Sequence, residues 1–268
     1  MRDASDTGED QGGLVIMMKH WRTPAGVDIA YAMIQGKSPT VIFLGGYRSD
    51  MTGTKAMFLN DWCRDRGYGF LRFDYSGHGE SSGAFKDGTL GCWIADACSV
   101  IEATTTGPLI LVGSSMGGWI MLHVALQMKT RVVGLIGIAA APDFTRDLMC
   151  QELTVDQRNA LQRDGEIVMK SAYDEAGYVL TRDFFDDGEK HLLLDATIDV
   201  GCPIILMHGM QDAEVPWQTG IRLANALASK DVRVTLVKSG DHRLSNDQEL
   251  AHLGESLLIL LNNIGALA

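Results

Sequence analysis

The chain has 268 residues, 34 of them acidic and 23 basic, for a formal net charge of −11. At ~100–200 residues per domain that is one large α/β domain or two small ones, and hydrophobic and charged fractions of 46% and 21% exclude wholesale disorder. The acidic balance argues against nucleic acid, which needs clustered Lys and Arg to displace counterions, and against an anionic membrane surface.

Residues 1–13 carry Asp3, Asp6, Glu9 and Asp10 against Arg2 alone. A signal peptide needs a basic start and an apolar stretch, and a transit peptide is basic and poor in acid. The segment reads as a disordered leader, or as an upstream start with Met17 or Met18 as the alternative. From Leu14 on, short apolar runs alternate with helical patterns. Leu14–Trp21 and Val27–Ile34 read as a hairpin turning at Thr23-Pro24-Ala25-Gly26. Thr40–Leu44, Gly69–Asp74, Leu109–Gly113, Val132–Ala139, Pro203–His208 and Val232–Val237 read as buried strands. Helical patterns fall at Lys55–Arg66, Leu90–Ala103, Met116–Met128, Thr219–Ser229 and Asp247–Asn263. This alternation predicts a mostly parallel sheet flanked by helices. Core segments at 14–140 and 201–268 are interrupted by 141–200, a charge-rich stretch that reads as helical and strandless, a small lid over the strand ends. No stretch approaches the ~20 apolar residues of a membrane span.

The five cysteines, Cys63, Cys92, Cys98, Cys150 and Cys202, are odd in number and contain no C-x-x-C pair. Reduced core thiols are the expectation, and with the acidic leader they predict a cytoplasmic protein. No metal-ligand set and no strand–G-x-G-x-x-G–helix unit is present, so no cofactor is expected.

The pattern G-x-S-x-G occurs twice, around Ser81 and around Ser115. It has a mechanism only as a sharp strand-to-helix elbow that lifts a serine hydroxyl above a sheet. Ser115 follows the apolar run Pro108–Val112 and precedes the apolar helix from Gly118, whereas Ser81 sits between Gly77-His78-Gly79 and Ala84–Gly88, which is loop. Ser115 is the candidate nucleophile. It needs a base, and the base needs an orienting acid, both from the ends of later strands. Asp212 follows the strand at Pro203–His208, with Glu214 as runner-up in the same loop. Of seven histidines, only His242 lies beyond the acid in a loop after the last strand. His208, at a strand end ahead of the acid, reads as a packed or capping residue. Asp74 reads as fixing its Gly-rich loop, and Trp217 as stiffening the acid loop, with lining of the pocket as its alternative. Oxyanion donors are expected from the Met116 amide, next to the nucleophile, and from the Tyr47 amide after the paired Gly45-Gly46.

From about Val27 to Ile264 the chain resembles the α/β-hydrolase superfamily, on the Ser115 elbow, the Asp212 loop and the His242 loop in that order. The family commonly carries His-Gly where this chain has Gly45-Gly46. Within the superfamily, Gly46–Ala56, Arg72–Gly77, Leu111–Trp119, His208–Asp212, Val215–Trp217 and Asp241–Arg243 are similar to an acyl-protein thioesterase and acyl-ester esterase branch. The resemblance implies the α/β-hydrolase fold and hydrolysis of a small-molecule acyl ester or thioester. A peptidase or carbon–carbon bond hydrolase with the same three residues is the alternative, and a binding protein without turnover is a third reading. The net negative field is expected to discourage anionic substrates modestly. Acyl chain length and oligomeric state are not legible in the sequence.

Overall fold

The computed structural model describes residues 18–169 and 177–265; the predicted leader and the first residues of the predicted hairpin lie outside them. In chain order the elements are β1 (Lys19–Arg22), β2 (Asp28–Ile34), β3 (Lys37–Leu44), α1 (Thr54–Arg66), β4 (Tyr68–Phe73), α2 (Leu90–Thr104), β5 (Leu109–Ser114), α3 (Met116–Gln127) and β6 (Val132–Ile138). A π-helical turn at Thr145–Met149 then runs into the single turn α4 (Cys150–Glu152), α5 (Val155–Asp164), β7 (Glu166–Met169), β8 (Tyr178–Thr181) and α6 (Arg182–Lys190). The chain ends with β9 (Ile204–Gly209), α7 (Gln218–Ala226), β10 (Val232–Val237) and α8 (Asp247–Gly265).

Eight strands form one sheet in the order β1-β2-β4-β3-β5-β6-β9-β10. β1 and β2 pair antiparallel through the predicted turn, β2 pairs antiparallel with β4, and from β4 to β10 every pairing is parallel. The central strands are apolar in nearly every position because helices cover both faces. On one face, Ile42, Leu71, Leu109 and Leu111 pack with Trp93 of α2 and Trp119 of α3. On the other, Val41, Phe70, Ile110 and Ile136 meet Leu59 of α1 and Leu257 of α8. The mostly parallel, helix-flanked sheet expected from the sequence is therefore the observed one. One strand departs from its reading. β10 was expected to be buried, but its positions alternate between half-buried and exposed, because it is the sheet's edge and only one face is covered.

The 141–200 segment is not strandless. β7 and β8 form a separate two-stranded antiparallel sheet, Glu166 opposite Thr181 and Met169 opposite Tyr178. Strands of four residues flanked by charge give too short an alternation to register against the helical background. The segment is anchored beneath by Asp143, which is fully buried and accepts the Leu193 and Leu194 amides at 2.9 and 2.8 Å. Trp119 of α3 donates its indole N–H to the His191 carbonyl at 3.0 Å. Nine of the twelve residues of α3 are thus buried, which is why its sequence is apolar without a polar stripe.

Candidate active site

β5 ends at Ser114, and α3 begins at Met116. The single residue between them, Ser115, has φ 54° and ψ −120°, a backbone conformation that L-residues rarely hold and that persists only when surroundings impose it. The surroundings here are backbone. A Cβ on Gly117 would run into the carbonyl oxygens of Leu44 and Gly45, and one on Gly113 would run into Gly117. Glycine at both positions lets the turn close against the end of β3. The Ser115 amide donates to the Ile138 carbonyl at 2.9 Å, and its carbonyl accepts from Gly118 and Ala141 at 2.8 and 3.1 Å. The elbow is held from both sides, with the hydroxyl above the sheet.

The structure brings together the three side chains singled out in the sequence. Ser115 Oγ lies 3.0 Å from His242 Nε2, and His242 Nδ1 lies 2.8 Å from Asp212 Oδ2. Facing a carboxylate, Nδ1 carries the ring proton, which leaves Nε2 to accept from the serine hydroxyl. Asp212 comes from the turn after β9 and His242 from the turn after β10. β9 and β10 are parallel neighbours, so both turns open at the same end of the sheet as the elbow.

Asp212 is richly solvated by protein. Its Oδ1 accepts the Glu214 and Val215 amides at 2.9 and 2.8 Å. Its Oδ2 receives His242 and also His208 Nε2 at 3.2 Å. His208 Nε2 is equally close, 3.0 Å, to the Val215 carbonyl. Both neighbours are acceptors, so this nitrogen bears the proton and shares it between them. Burial pushes the Asp212 carboxyl up, but the hydrogen bonds from His208, His242 and Val215 outweigh it and hold the group well below the usual carboxylate range. His208 is the member of the cluster that the sequence reading placed as a packed or capping residue. Its position four residues before the acid was visible; its contact with the carboxylate depends on how the turn folds back.

Glu214, the runner-up acid, stands 3.7 Å from His242 Nε2, on the serine side of the ring, and its side chain is 71% exposed. It faces the wrong nitrogen to orient the base. Ser81 is tied to backbone, donating to the Asp74 carbonyl at 2.7 Å and accepting the Ala30 amide at 2.8 Å. Asp74 fixes its loop as expected, accepting the Met51 and Glu80 amides at 2.6 and 2.9 Å. The loop after β3 lies on the elbow: a Cβ on Gly46 would sit 3.5 Å from Ser115 Cβ. Tyr47 is the next residue, and its half-buried ring packs among Phe85, Trp93, Phe144, Tyr178 and Phe184. Burial raises its phenol far above the ordinary value.

Above Ser115 and His242 opens a cavity of about 740 Å³, lined also by Tyr47, Arg48, Lys55, Tyr178, Glu214 and Arg243. Trp217 lies outside that lining. The Arg48 guanidinium stacks on the Tyr178 ring at 4.5 Å, joining the loop after β3 to the inserted hairpin. All five cysteines are free, but only Cys63 is a core thiol, pushed up to about 12 by burial, and Cys92 is exposed. Among the described residues no helix is long and apolar enough to cross a membrane, and no three His, Cys, Asp or Glu side chains group as metal ligands.

A sheet of this order with a serine elbow at its centre defines an α/β hydrolase, and the alpha/beta hydrolase family model matches residues 41–253. The chain belongs to that family and is a hydrolase. It is 41% identical over 241 residues to the human mitochondrial palmitoyl-protein thioesterase ABHD10, covering 90% of this chain and 78% of the relative. The solved structure of mouse alpha/beta hydrolase domain-containing protein 10 superposes with a TM-score of 0.85 at 37% identity, covering 92% of this chain and 99% of that one. A crystal structure from Agrobacterium vitis S4 gives 0.87 at 39% identity, covering 91% and 98%. These names correct the expected cytoplasmic location, since the relatives from human and mouse are named mitochondrial. That expectation rested on unpaired cysteines and an acidic leader. Unpaired cysteines report a reducing environment rather than one compartment.

Proposed function

We propose that this hydrolase cleaves carboxylic esters or acyl thioesters through a Ser115–His242–Asp212 triad and an acyl-enzyme intermediate. The observation that carries the reading is the hydrogen-bonded chain from Ser115 Oγ through both His242 nitrogens to Asp212, at 3.0 and 2.8 Å, on a serine held at positive φ. As Ser115 Oγ bonds to the substrate carbonyl carbon, its proton passes to His242 Nε2, and the carbonyl π electrons move onto oxygen. The Met116 and Tyr47 amides receive that oxyanion; a donor of this kind is worth about 2.7–4 kcal/mol of barrier. Collapse of the intermediate expels the alcohol or thiol, which takes the proton from His242. Water, deprotonated by the same nitrogen, then releases the acid and restores Ser115. Asp212 stays ionised throughout and keeps the ring in its productive tautomer.

The 141–200 segment serves as a lid in this reading. Tyr178 of its hairpin lines the cavity, and Arg48 links it to the oxyanion loop. The thioesterase names of the relatives support including thioesters among the substrates. The deciding experiment is a panel of acyl esters and acyl thioesters of graded chain length, with fluorophosphonate labelling of Ser115. Hydrolysis together with labelling is expected. Cleavage of aminoacyl anilides but of no acyl ester or thioester would overturn the assignment.

A further inference from the structure

Lys55 lines the cavity above Ser115 and His242, yet the reaction just described gives it no task. It stands on the first turn of α1, directly after the loop that carries Tyr47. Its Nζ crosses to the loop after β10 and donates to the backbone carbonyl of Arg243, the residue following His242, across 188 positions of sequence. Other ties on that loop run within it or to the acid loop. Asp241 Oδ1 accepts the Arg243 and Leu244 amides at 2.9 and 3.1 Å, and Gln211 N donates to the Gly240 carbonyl at 2.9 Å. Leu244 sits at φ 45°, so the chain bends sharply just past the histidine. Lys55 thus fastens the downstream side of the His242 turn to the nucleophile's half of the site.

We propose that Lys55 is a positioning residue for the catalytic base, clamping the His242 loop to the start of α1 so that Nε2 stays within hydrogen-bond reach of Ser115 Oγ. The inference rests on the serine-hydrolase reading. A four-carbon side chain immobilised and half-buried to reach one carbonyl costs rotamer entropy and solvation, and positioning the base is what that cost secures. A loop free to shift by about 1 Å can lose about 100-fold in rate.

The charged groups around Lys55 give the clamp a pH dependence. Asp241 and Glu249 face it from the His242 loop and α8, and Arg243 lies beside it. Arg48, Asp50, Glu214 and His242 share the cavity. Burial pushes the Lys55 ammonium down to about 8, with Asp241 and Glu249 pulling against it. The clamp is charged below that value and loses its charge as pH rises through it.

The test compares wild type, Lys55→Met and Lys55→Arg by kcat, KM and the alkaline limb of kcat on one short-chain ester, with fluorophosphonate labelling and thermal unfolding alongside. Lys55→Met is expected to lower kcat about 10- to 100-fold with KM little changed. Lys55→Arg, whose guanidinium stays protonated, is expected to return to within a few-fold of wild type and to lack the wild-type decline near pH 8. Lys55→Met matching wild type in kcat, or Lys55→Arg retaining the alkaline decline, overturns the inference. Should Lys55→Met fail to fold, the Lys55→Arg profile decides alone. Wild type that resists labelling overturns the serine-hydrolase reading, and this inference with it. Labelled wild type with an unimpaired Lys55→Met overturns only the role of Lys55.

Discussion

His208 Nε2 lies 3.2 Å from Asp212 Oδ2, with both side chains buried. A carboxylate with two imidazole partners and two backbone amides is a strong ion site in a region that water does not reach. That network holds the Asp212 carboxyl below its ordinary range although burial pushes it up.

Removing the second imidazole with His208→Phe takes one donor from Asp212, so the carboxyl rises toward its ordinary range. Activity needs the ionised form, so the acidic limb of kcat/KM moves to higher pH. At neutral pH the loss stays modest, because His242 and the two amides remain. Asp212→Asn is different: it removes the charge and the acceptor that fixes the His242 tautomer, and kcat falls on the order of 10⁴-fold. Stability follows the same carboxyl. Its folded value lies below the unfolded value of about 3.9, so its contribution is fully present above that value and is lost as pH falls through the depressed one. Acid unfolding monitored by circular dichroism should show a shallower acid dependence for Asp212→Asn than for wild type.

The two serines in G-x-S-x-G settings separate cleanly by experiment. Ser115→Ala should abolish turnover while leaving the thermal midpoint close to wild type, since among the described residues Oγ pairs with His242 alone. Ser81→Ala should do the reverse. It loses bonds to Ala30 and Asp74, each worth about 1 kcal/mol, so its midpoint falls while kcat stays near the wild-type value. An inactive Ser81→Ala that remains folded would transfer the nucleophile's role.

Gly117→Ala tests the elbow's packing. The added methyl would press on the carbonyl oxygens of Leu44 and Gly45, which are backbone and cannot rotate away. Overpacking of this kind typically costs about 1–3 kcal/mol. The change also pushes on the loop bearing Tyr47, so urea unfolding and kcat should both suffer. A variant as stable and active as wild type would show that the turn can relax.

The parts of the site that were legible in the sequence are those that depend on local pattern. Strands that are apolar throughout report burial on both faces. Small residues around Ser115 report a turn too tight for side chains, and the candidate acid and base follow from the order of strand ends. The missing parts depend on the turns folding back. Neither the approach of His208 to Asp212 nor the reach of Lys55 to Arg243 leaves a periodic trace. The short strands β7 and β8 were hidden by their length. Net charge was equally uninformative about the cavity, whose lining includes Arg48, Lys55 and Arg243 in a chain carrying −11 overall.

Asp143 offers a way to loosen the inserted segment without touching the triad. It is fully buried at φ 59° and accepts two amides from the chain that leaves α6, with Arg146 at 3.7 Å as its nearest cation. Burial raises its carboxyl above the ordinary range, against the opposing pull of the Leu194 and Leu193 amides. Asp143→Ala leaves those two amides without an acceptor, and hydrogen bonds to a charged group are worth about 1.5–3 kcal/mol each. The expected result is faster amide exchange at Leu193 and Leu194 and earlier proteolytic cutting within 141–200, while the sheet strands keep their protection. If the segment acts as the lid, the same variant should change KM across the acyl-chain series more than it changes fluorophosphonate labelling of Ser115. Equal effects on both would place Asp143 in the architecture of the site as a whole rather than in the cover.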